Sequence, residues 1–540
     1  MLLKTHLQLV TGPVDRVFAG KAPWQIVAIT TTTVLGAVWL WELLNEDESI
    51  YSRLRRKFFQ LARKVPAVQR KITTEINQIN DSFVRDASQY GKFTTVLPND
   101  GLHHDQILQK VDDYLSLGHY KWKEGFISGA VYYYDQDLVK LVTQVYGKAS
   151  YTNPLHPDVF PGICKMEAEV VRMTATLFNG PKEACGTMTT GGTESIMMAC
   201  KAYRDYGRSV KGITKPNMVL SVTAHTAFDK SAKYLGIYTQ TVPIDIASTK
   251  VDVKKMERAI NSNTIMLVGS APNYPYGTMD DIVAIAKLGK KYNIPVHVDA
   301  CLGGFLIVFM RRAGYPVPPF DFSVDGVTSI SADTHKYGFT PKGSSVILYS
   351  DKVYRHHQYT VSTEWPGGVY GSPTVNGSRA GGVIAATWAT MMNFGFDGYV
   401  ETTKRIIDTS RYIESQLRKI GNIFIFGTPA TSVIAIGSKD FDIFRLSAEL
   451  NSLGWNLNSL QFPSGIHICV TYMHTQDGIA DKFVNDVRSK VALIMRNPEK
   501  PVEGKMAIYG VAQTVPDREI VGEFTKCFID SMYYTVEETD

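Results

Sequence analysis

The sequence predicts an α/β protein: a mostly parallel central sheet, a smaller C-terminal α+β domain after it, and one transmembrane helix before it. Three observations carry that reading. From about residue 215, short apolar runs (MVLSVT, TIMLVGS, IPVHVDA, VTSISAD, SSVILYS) alternate with amphipathic stretches such as DDIVAIAKLGKKYN, the rhythm of a parallel sheet covered by helices. After about residue 380 a long helical segment leads into TSVIAIGS and IHICVTYM, separated by IFRLSAELNSLGW, which reads as a second, smaller set of strands and helices. Near the start, residues 22–41 hold no charged side chain.

That uncharged run, APWQIVAITTTTVLGAVWLW, carries Trp24 at one end and Trp39 and Trp41 at the other, and about 20 such residues span a bilayer core as a helix. Its four consecutive threonines are poor helix formers in water, yet inside a membrane their hydroxyls bond back to the preceding turn. The run begins too late for a signal peptide and lacks a small-residue cleavage pattern after it. Lys4, Arg16 and Lys21 precede it, whereas Arg53, Arg55, Arg56, Lys57, Arg63, Lys64, Arg70 and Lys71 follow, so the bulk of the chain is expected to face the cytosol. The basic stretch suits anionic headgroups as well as a solvated helix face. The expected organisation is a lumenal N-terminus (1–21), a transmembrane helix (22–44), a basic helical connector (45–100), a large domain (101–380) and a small C-terminal domain (381–540).

Composition narrows the function. The 540 residues are 44% hydrophobic and 20% charged, with a formal net charge of +5, an ordinary globular balance with length for two or three domains. The body of the chain has no basic stretch interleaved with aromatics, so nucleic acid is not the expected partner. Six cysteines, at 164, 185, 200, 301, 469 and 527, include no C-x-x-C pair. Neither a zinc module nor a dense disulfide framework is indicated, which suits a reducing compartment. Cys301 reads as a small buried thiol.

In an open sheet of this kind ligands collect at the carboxyl ends of the strands, so chemistry is expected just past each apolar run. Four places stand out. In TMTTGGTESIMMACKAY, Thr189, Thr190, Gly191, Gly192 and Thr193 precede a helical run; glycines let backbone N–H groups approach an anion, and a helix N-terminus favours negative charge. In TAHTAFDKSAKY, His225 follows the strand MVLSV, where an imidazole either lies on an aromatic ligand or caps the next helix. In IPVHVDACLGGF, Asp299 ends a nearly wholly apolar strand, and a carboxylate there needs a cationic partner; His297 on the same strand reads as a core histidine. In SISADTHKYGFTPKGSS, Lys336 follows the strand VTSIS; a crowded, partly desolvated amine is expected to have a lowered pKa, which favours imine formation. In this order across one domain the four describe a site for pyridoxal phosphate. The Gly/Thr loop takes the cofactor phosphate, His225 covers the ring, Asp299 keeps the pyridine nitrogen protonated, and Lys336 is the covalent tether.

With these residues in view, SADTHKYGF, GGTES, HVDACLGGF, SGAVY and NPLHPDVFPG together resemble the sphingosine-1-phosphate lyase family, pyridoxal-dependent enzymes of the decarboxylase-like group with the aspartate aminotransferase type of fold. The likeness runs from about residue 100 to the end; THKYG and GGTES alone indicate only the broader group. The resemblance implies that Tyr132 in ISGAVYYYD, His156 in NPLHPDVF and Lys342 in FTPKGSS contact a substrate phosphate, and that His335 is a further cofactor contact. It also implies a homodimer in which WPGGVYGSPTVNGSRAGG reaches the neighbouring site, with Tyr370 near the reacting substrate and Gly371 and Ser372 helping to hold the partner's cofactor phosphate. The implied reaction, at the endoplasmic reticulum membrane, cleaves a phosphorylated sphingoid base between its hydroxyl- and amine-bearing carbons, giving a long-chain aldehyde and phosphoethanolamine. Tyr370, His156, Lys336 and the substrate's own phosphate are all candidates for the base. Two other readings stand beside this one: a pyridoxal-dependent amino-acid decarboxylase, which needs a site for an α-carboxylate, and a catalytically silent membrane scaffold.

Overall fold

Seven strands organise the larger of two units of the chain, residues 104–514. They are β1 (Cys185–Thr189), β2 (Asn217–Ser221), β3 (Tyr238–Val242), β4 (Thr264–Ser270), β5 (Val296–Asp299), β6 (Ser329–Ala332) and β7 (Ser345–Tyr349), in the order β1-β7-β6-β5-β4-β2-β3. The computed structural model describes residues 16–44, 50–88, 90–502, 513, 515 and 517–535; most of the expected lumenal segment, including Lys4, and the last residues of the C-terminal tail lie outside the described residues.

Strands β2 to β6 pair in parallel, while β7 runs antiparallel to both of its neighbours, β6 and β1. The expected mostly parallel sheet is therefore a mixed sheet with one reversed strand. The cause is local: the segment 333–344 between β6 and β7 contains no helix, and without a crossover the chain can only pair by running back. Lys336 and Lys342 both sit on this turn-around.

The apolar runs become β2, β4, β5, β6 and β7, all buried along their length, as strands covered on both faces must be. Strands β1 and β3 were not legible, because CGTMT and YTQTV are polar runs. Between strands lie the helices Gly192–Lys211, Ala227–Leu235, Ile282–Tyr292 and Gly304–Met310. The boundaries of Ile282–Tyr292 are chemical: the Asp281 carboxylate accepts from Ala284 N–H at one end, and Asn293 adopts a left-handed conformation at the other, each satisfying backbone groups the helix leaves open.

Downstream, β8 (Thr360–Ser362) and β9 (Tyr370–Ser372) form a two-stranded ribbon. The helix Gly381–Leu417, kinked at Gly395, leads to a four-stranded antiparallel sheet. Its strands β10 (Phe424–Ile425), β11 (Val433–Gly437), β12 (Asn458–Leu460) and β13 (Gly465–Cys469) lie in the order β10-β11-β13-β12, with the helices Ile443–Asn451 and Ile479–Ile494 beside it. Tyr337, next to Lys336, joins the two sheets through its hydroxyl, 2.6 Å from Val470 O and 2.5 Å from Ser432 Oγ.

The smaller unit comprises residues 1–103 and 515–540. Its helix Arg518–Ser531 packs on the helix Pro66–Ser88, and the Arg63 guanidinium grips Asp517 with two hydrogen bonds, Nε–Oδ2 2.7 Å and Nη2–Oδ1 2.5 Å. The last helix of the expected C-terminal domain thus belongs with the N-terminal connector, because its capping aspartate is the anion that Arg63 pairs with. Of the transmembrane helix expected over 22–44, the structure bears out the helix. A helix does run Pro23–Leu44, yet among the described residues no helix is long and apolar enough to cross a membrane. Within this helix Thr30 to Thr33 dilute the hydropathy.

Candidate active site

Strands β5 and β6 end side by side, with Asp299 in register with Ser331. Each apolar run here stops on a carboxylate or just before one: Asp299 closes β5, and Asp333 follows β6 directly. The Asp299 side chain is buried. Its Oδ1 accepts from Cys301 N–H at 3.0 Å and from the Ser331 hydroxyl at 3.4 Å, while Oδ2 has no hydrogen-bond partner among the described residues. An accessible carboxylate oxygen on an otherwise buried side chain suits a cationic ring nitrogen.

Lys336 reaches back to Asp333, with Nζ 2.8 Å from Oδ2. The lowered amine pKa expected from sequence is overturned. Burial does oppose the charge of Lys336, but the Asp333 carboxylate more than offsets it, so the amine lies above the ordinary lysine range. Asp333 in turn is penalised by burial and held below the usual carboxylate range by Lys336 first and His335 second. His335 takes Ser344 N–H on Nδ1 at 3.1 Å, which leaves its proton on Nε2, 3.6 Å from Asp333.

A cavity of about 250 Å³ opens beside the lysine and is lined by Tyr132, His335, Lys336, Thr340 and Lys342, with Leu138, Val139 and Val142 on its apolar side. Lys342 Nζ lies 4.9 Å above the Tyr132 ring and donates to His335 O at 3.3 Å. Lys342 is exposed as a residue, but crowding around its amine, then repulsion from Lys336, pushes it down to about 8. Tyr132 is buried, edge-on to Tyr337 at 4.8 Å, and burial holds its hydroxyl protonated. A larger cavity, about 870 Å³, lies between Arg172, Phe309, Phe396 and Tyr399 and contains none of these residues.

The Gly/Thr loop is where β1 gives way to the helix Gly192–Lys211. Thr189 Oγ1 and Ser195 Oγ are 2.7 Å apart, and Ser195 Oγ is 2.8 Å from Ser345 Oγ, so buried hydroxyls pin the start of this helix to β1 and β7. A Cβ on Gly192 would fall 2.8 Å from both Asp333 carboxylate oxygens; glycine lets the loop lie directly on Asp333. Thr190 departs from its expected role. Its N–H and its hydroxyl both donate to Glu194 Oε2, at 2.7 and 2.5 Å, because Glu194 caps the loop from within. No side chain caps the helix itself, which leaves the first N–H groups and the exposed Thr193 to meet an anion.

Other expected site residues lie outside the lining of that cavity. His225 Nδ1 accepts Ala227 N–H at 3.1 Å, at the start of the helix Ala227–Leu235, a bond in the ring plane that leaves the ring faces free; the exposed ring lies edge-on to Tyr274, centroids 6.3 Å apart. His156 is exposed and does not line the Lys336 cavity. Tyr370, Gly371 and Ser372 form β9, and the Ser372 hydroxyl bonds to Thr374 O and Asn376 O at 3.1 and 3.0 Å. His297 is the core histidine expected, bonded to Ser329 and Ser331 at 2.8 and 3.1 Å, and Cys301 is buried. The residue missed was Asp333. The burial argument applied to Asp299 would have found it, since it too is a carboxylate at the end of an apolar strand.

These residues fit pyridoxal phosphate: an open carboxylate oxygen for the ring nitrogen on Asp299, an uncapped helix start behind two glycines for the phosphate, and an amine between them. A lysine so placed at the carboxyl edge of an α/β sheet marks an enzyme that ties its aldehyde cofactor to the chain. The comparisons agree. A profile described as the pyridoxal-dependent decarboxylase conserved domain matches residues 89–436. A sphingosine-1-phosphate lyase of Drosophila melanogaster is 63% identical over 98% of this chain and 98% of its own, and sphingosine-1-phosphate lyase 1 of Mus musculus is 50% identical over 95% and 90%. The solved sphingosine-1-phosphate lyase of Burkholderia pseudomallei superposes with a TM-score of 0.73 at 40% identity, covering 75% of this chain and 94% of that one. The chain belongs to the pyridoxal-dependent decarboxylase family and, within it, to the sphingosine-1-phosphate lyases.

Proposed function

We propose that this chain cleaves phosphorylated sphingoid bases to a long-chain aldehyde and phosphoethanolamine, using pyridoxal phosphate held by Lys336. The observation that carries this is the pairing of the tethering lysine with a second cation: Lys336 and Lys342 line one cavity with Tyr132. The second amine and the Tyr132 hydroxyl suit a phosphate on the substrate, for which an amino-acid decarboxylase has no need. The bound cofactor supplies an electron-withdrawing ring conjugated to the substrate nitrogen, which stabilises the charge left when the carbon–carbon bond breaks. Asp299 keeps that ring positively charged, Thr193 and the first N–H groups of the helix Gly192–Lys211 hold its phosphate, and His335 offers its Nε2 proton beside them. Lys342 and Tyr132 orient the substrate by its phosphate, leaving the alkyl chain toward Leu138, Val139 and Val142.

Tyr370, Gly371 and Ser372 act, in this reading, across a homodimer interface. Support comes from the resemblance of WPGGVYGSPTVNGSRAGG. We place the enzyme at the endoplasmic reticulum membrane with its catalytic unit cytosolic; the uncharged run 22–41 and the basic residues after it support that placement. A membrane position suits the substrate, because each methylene drawn into water costs about 0.8 kcal/mol. Incubating purified protein with a phosphorylated and an unphosphorylated sphingoid base, and identifying the products, tests the function: aldehyde and phosphoethanolamine from the first alone are expected, and carbon dioxide released from an amino acid in their place would refute it. Protease protection of residues 1–21 in sealed microsomes tests the topology, and their digestion from the cytosolic side would refute it.

A further inference from the structure

We infer that Asp333 is a positioning residue that parks the Lys336 amine, charged, against the phosphate loop whenever that amine is not covalently engaged. This rests on the reading of Lys336 as the tether and adds a residue that the sequence motifs left without a role. Asp333 is 2% exposed and sits at the turn where β6 ends. Its Oδ2 is 2.8 Å from Lys336 Nζ, whereas Oδ1 is buried with no hydrogen-bond partner. The other cationic candidate, His335 Nε2, is farther off at 3.6 Å. A buried carboxylate with one oxygen unsatisfied holds its single close cation strongly, since losing that cation leaves an uncompensated charge in the interior.

The loop enforces the placement. With no Cβ on Gly192, the start of the helix Gly192–Lys211 lies against the Asp333 carboxylate, so Asp333 is clamped between the phosphate loop and the lysine. The remaining titratable groups around Lys336 are Tyr132, Cys301, Cys469, His335 and Lys342. The two thiols and the tyrosine are neutral by burial, and Lys342 opposes the charge on Lys336. Among the described residues Asp333 is therefore the anion paired with Lys336, the Asp299 carboxylate lying on the far side of Cys301, whose N–H it accepts at 3.0 Å. A freed Lys336 held as an ammonium is no base, which removes it from the four candidates for taking the hydroxyl proton. It can instead donate: the N–H bond breaks toward a carbanionic carbon, the electron pair stays on nitrogen, and the neutral amine so formed is the nucleophile that re-forms the tether.

The test uses full-length apoenzyme from which the cofactor has been removed. Formaldehyde with cyanoborohydride methylates neutral amines, and peptide mass spectrometry compares Lys336 with the exposed Lys439 from about pH 6 to about pH 11. The readout is the pH midpoint, since burial slows the reaction at every pH alike. Lys336 is expected to reach its midpoint above Lys439. Asp333→Asn should lower the Lys336 midpoint by a unit or more, about tenfold in rate at pH 8, and Asp333→Glu should restore it. An unchanged profile in Asp333→Asn overturns the inference. So does a wild-type Lys336 midpoint below that of Lys439, a measurement that needs no variant to fold. The tether reading fails separately, if borohydride reduction of the holoenzyme fixes the cofactor on another side chain.

Discussion

The turn after β6 and the loop around β9 were both expected to carry the site, and they differ in what they do with their polar groups. Around β6, Asp333, Lys336 and Lys342 turn toward one another and toward Tyr132, and leave a cavity lined by two amines. Around β9, the Ser372 hydroxyl is spent on its own loop, and Tyr370 packs edge-on to Trp365, centroids 6.2 Å apart. Strand ends within one sheet are brought together by the backbone ladder, so their side chains meet inside a single chain. A ribbon outside the sheet has no such constraint, and residues on it reach a site only where another surface supplies the rest.

Four measurements would break or sharpen that contrast, from the largest effect to the smallest. Lys336→Ala should cut turnover by at least on the order of 10³-fold and leave no cofactor fixed by borohydride; cofactor retained covalently would place the tether elsewhere. Next, mixing inactive Lys336→Ala with inactive Tyr370→Phe should recover about a quarter of native activity. Half of randomly exchanged dimers are mixed, and each carries one intact site if the two regions meet across a two-fold interface. No recovery after subunit exchange would mean that both regions serve the same chain.

Lys342→Ala should raise KM for a phosphorylated base by about 10- to 150-fold with kcat little changed, the range expected from losing a charge-assisted hydrogen bond. The sign of its pH dependence follows from an amine pushed down to about 8: cationic below that pH and neutral above, it should let KM climb as pH rises through about 8. Lys342→Arg should flatten the climb, because a guanidinium stays charged; a wild-type KM that ignores pH there would remove Lys342 from phosphate binding. Smallest, Thr193→Ala should weaken cofactor binding by about two- to tenfold in fluorescence titration, whereas Thr190→Val, whose hydroxyl is committed to Glu194, should change it less. The reverse order would restore Thr190 as the phosphate ligand.

Of the strands, those buried on both faces were legible because burial demands an unbroken apolar run. The polar β1 and β3 were not, and neither was the reversal of β7, which depends on the lack of a helix between residues 333 and 344. Lys336, Asp299 and Gly192 could be placed from local pattern, since each follows or opens a recognisable element. Thr190 could not be assigned: its N–H and hydroxyl are claimed by Glu194, a partner only a few residues away whose geometry no residue spacing specifies.

By itself the sequence determined the strands buried on both faces, the edge of the sheet where chemistry collects, and the lysine at its centre, because periodicity and strand ends are properties of neighbouring residues. Only the tertiary structure decided the charge on that lysine. Asp333 lies three positions away in the chain, but whether its carboxylate turns inward to the amine or outward to water depends on Gly192 and the phosphate loop closing over it, and the protonation of a buried group is set by what surrounds it in space.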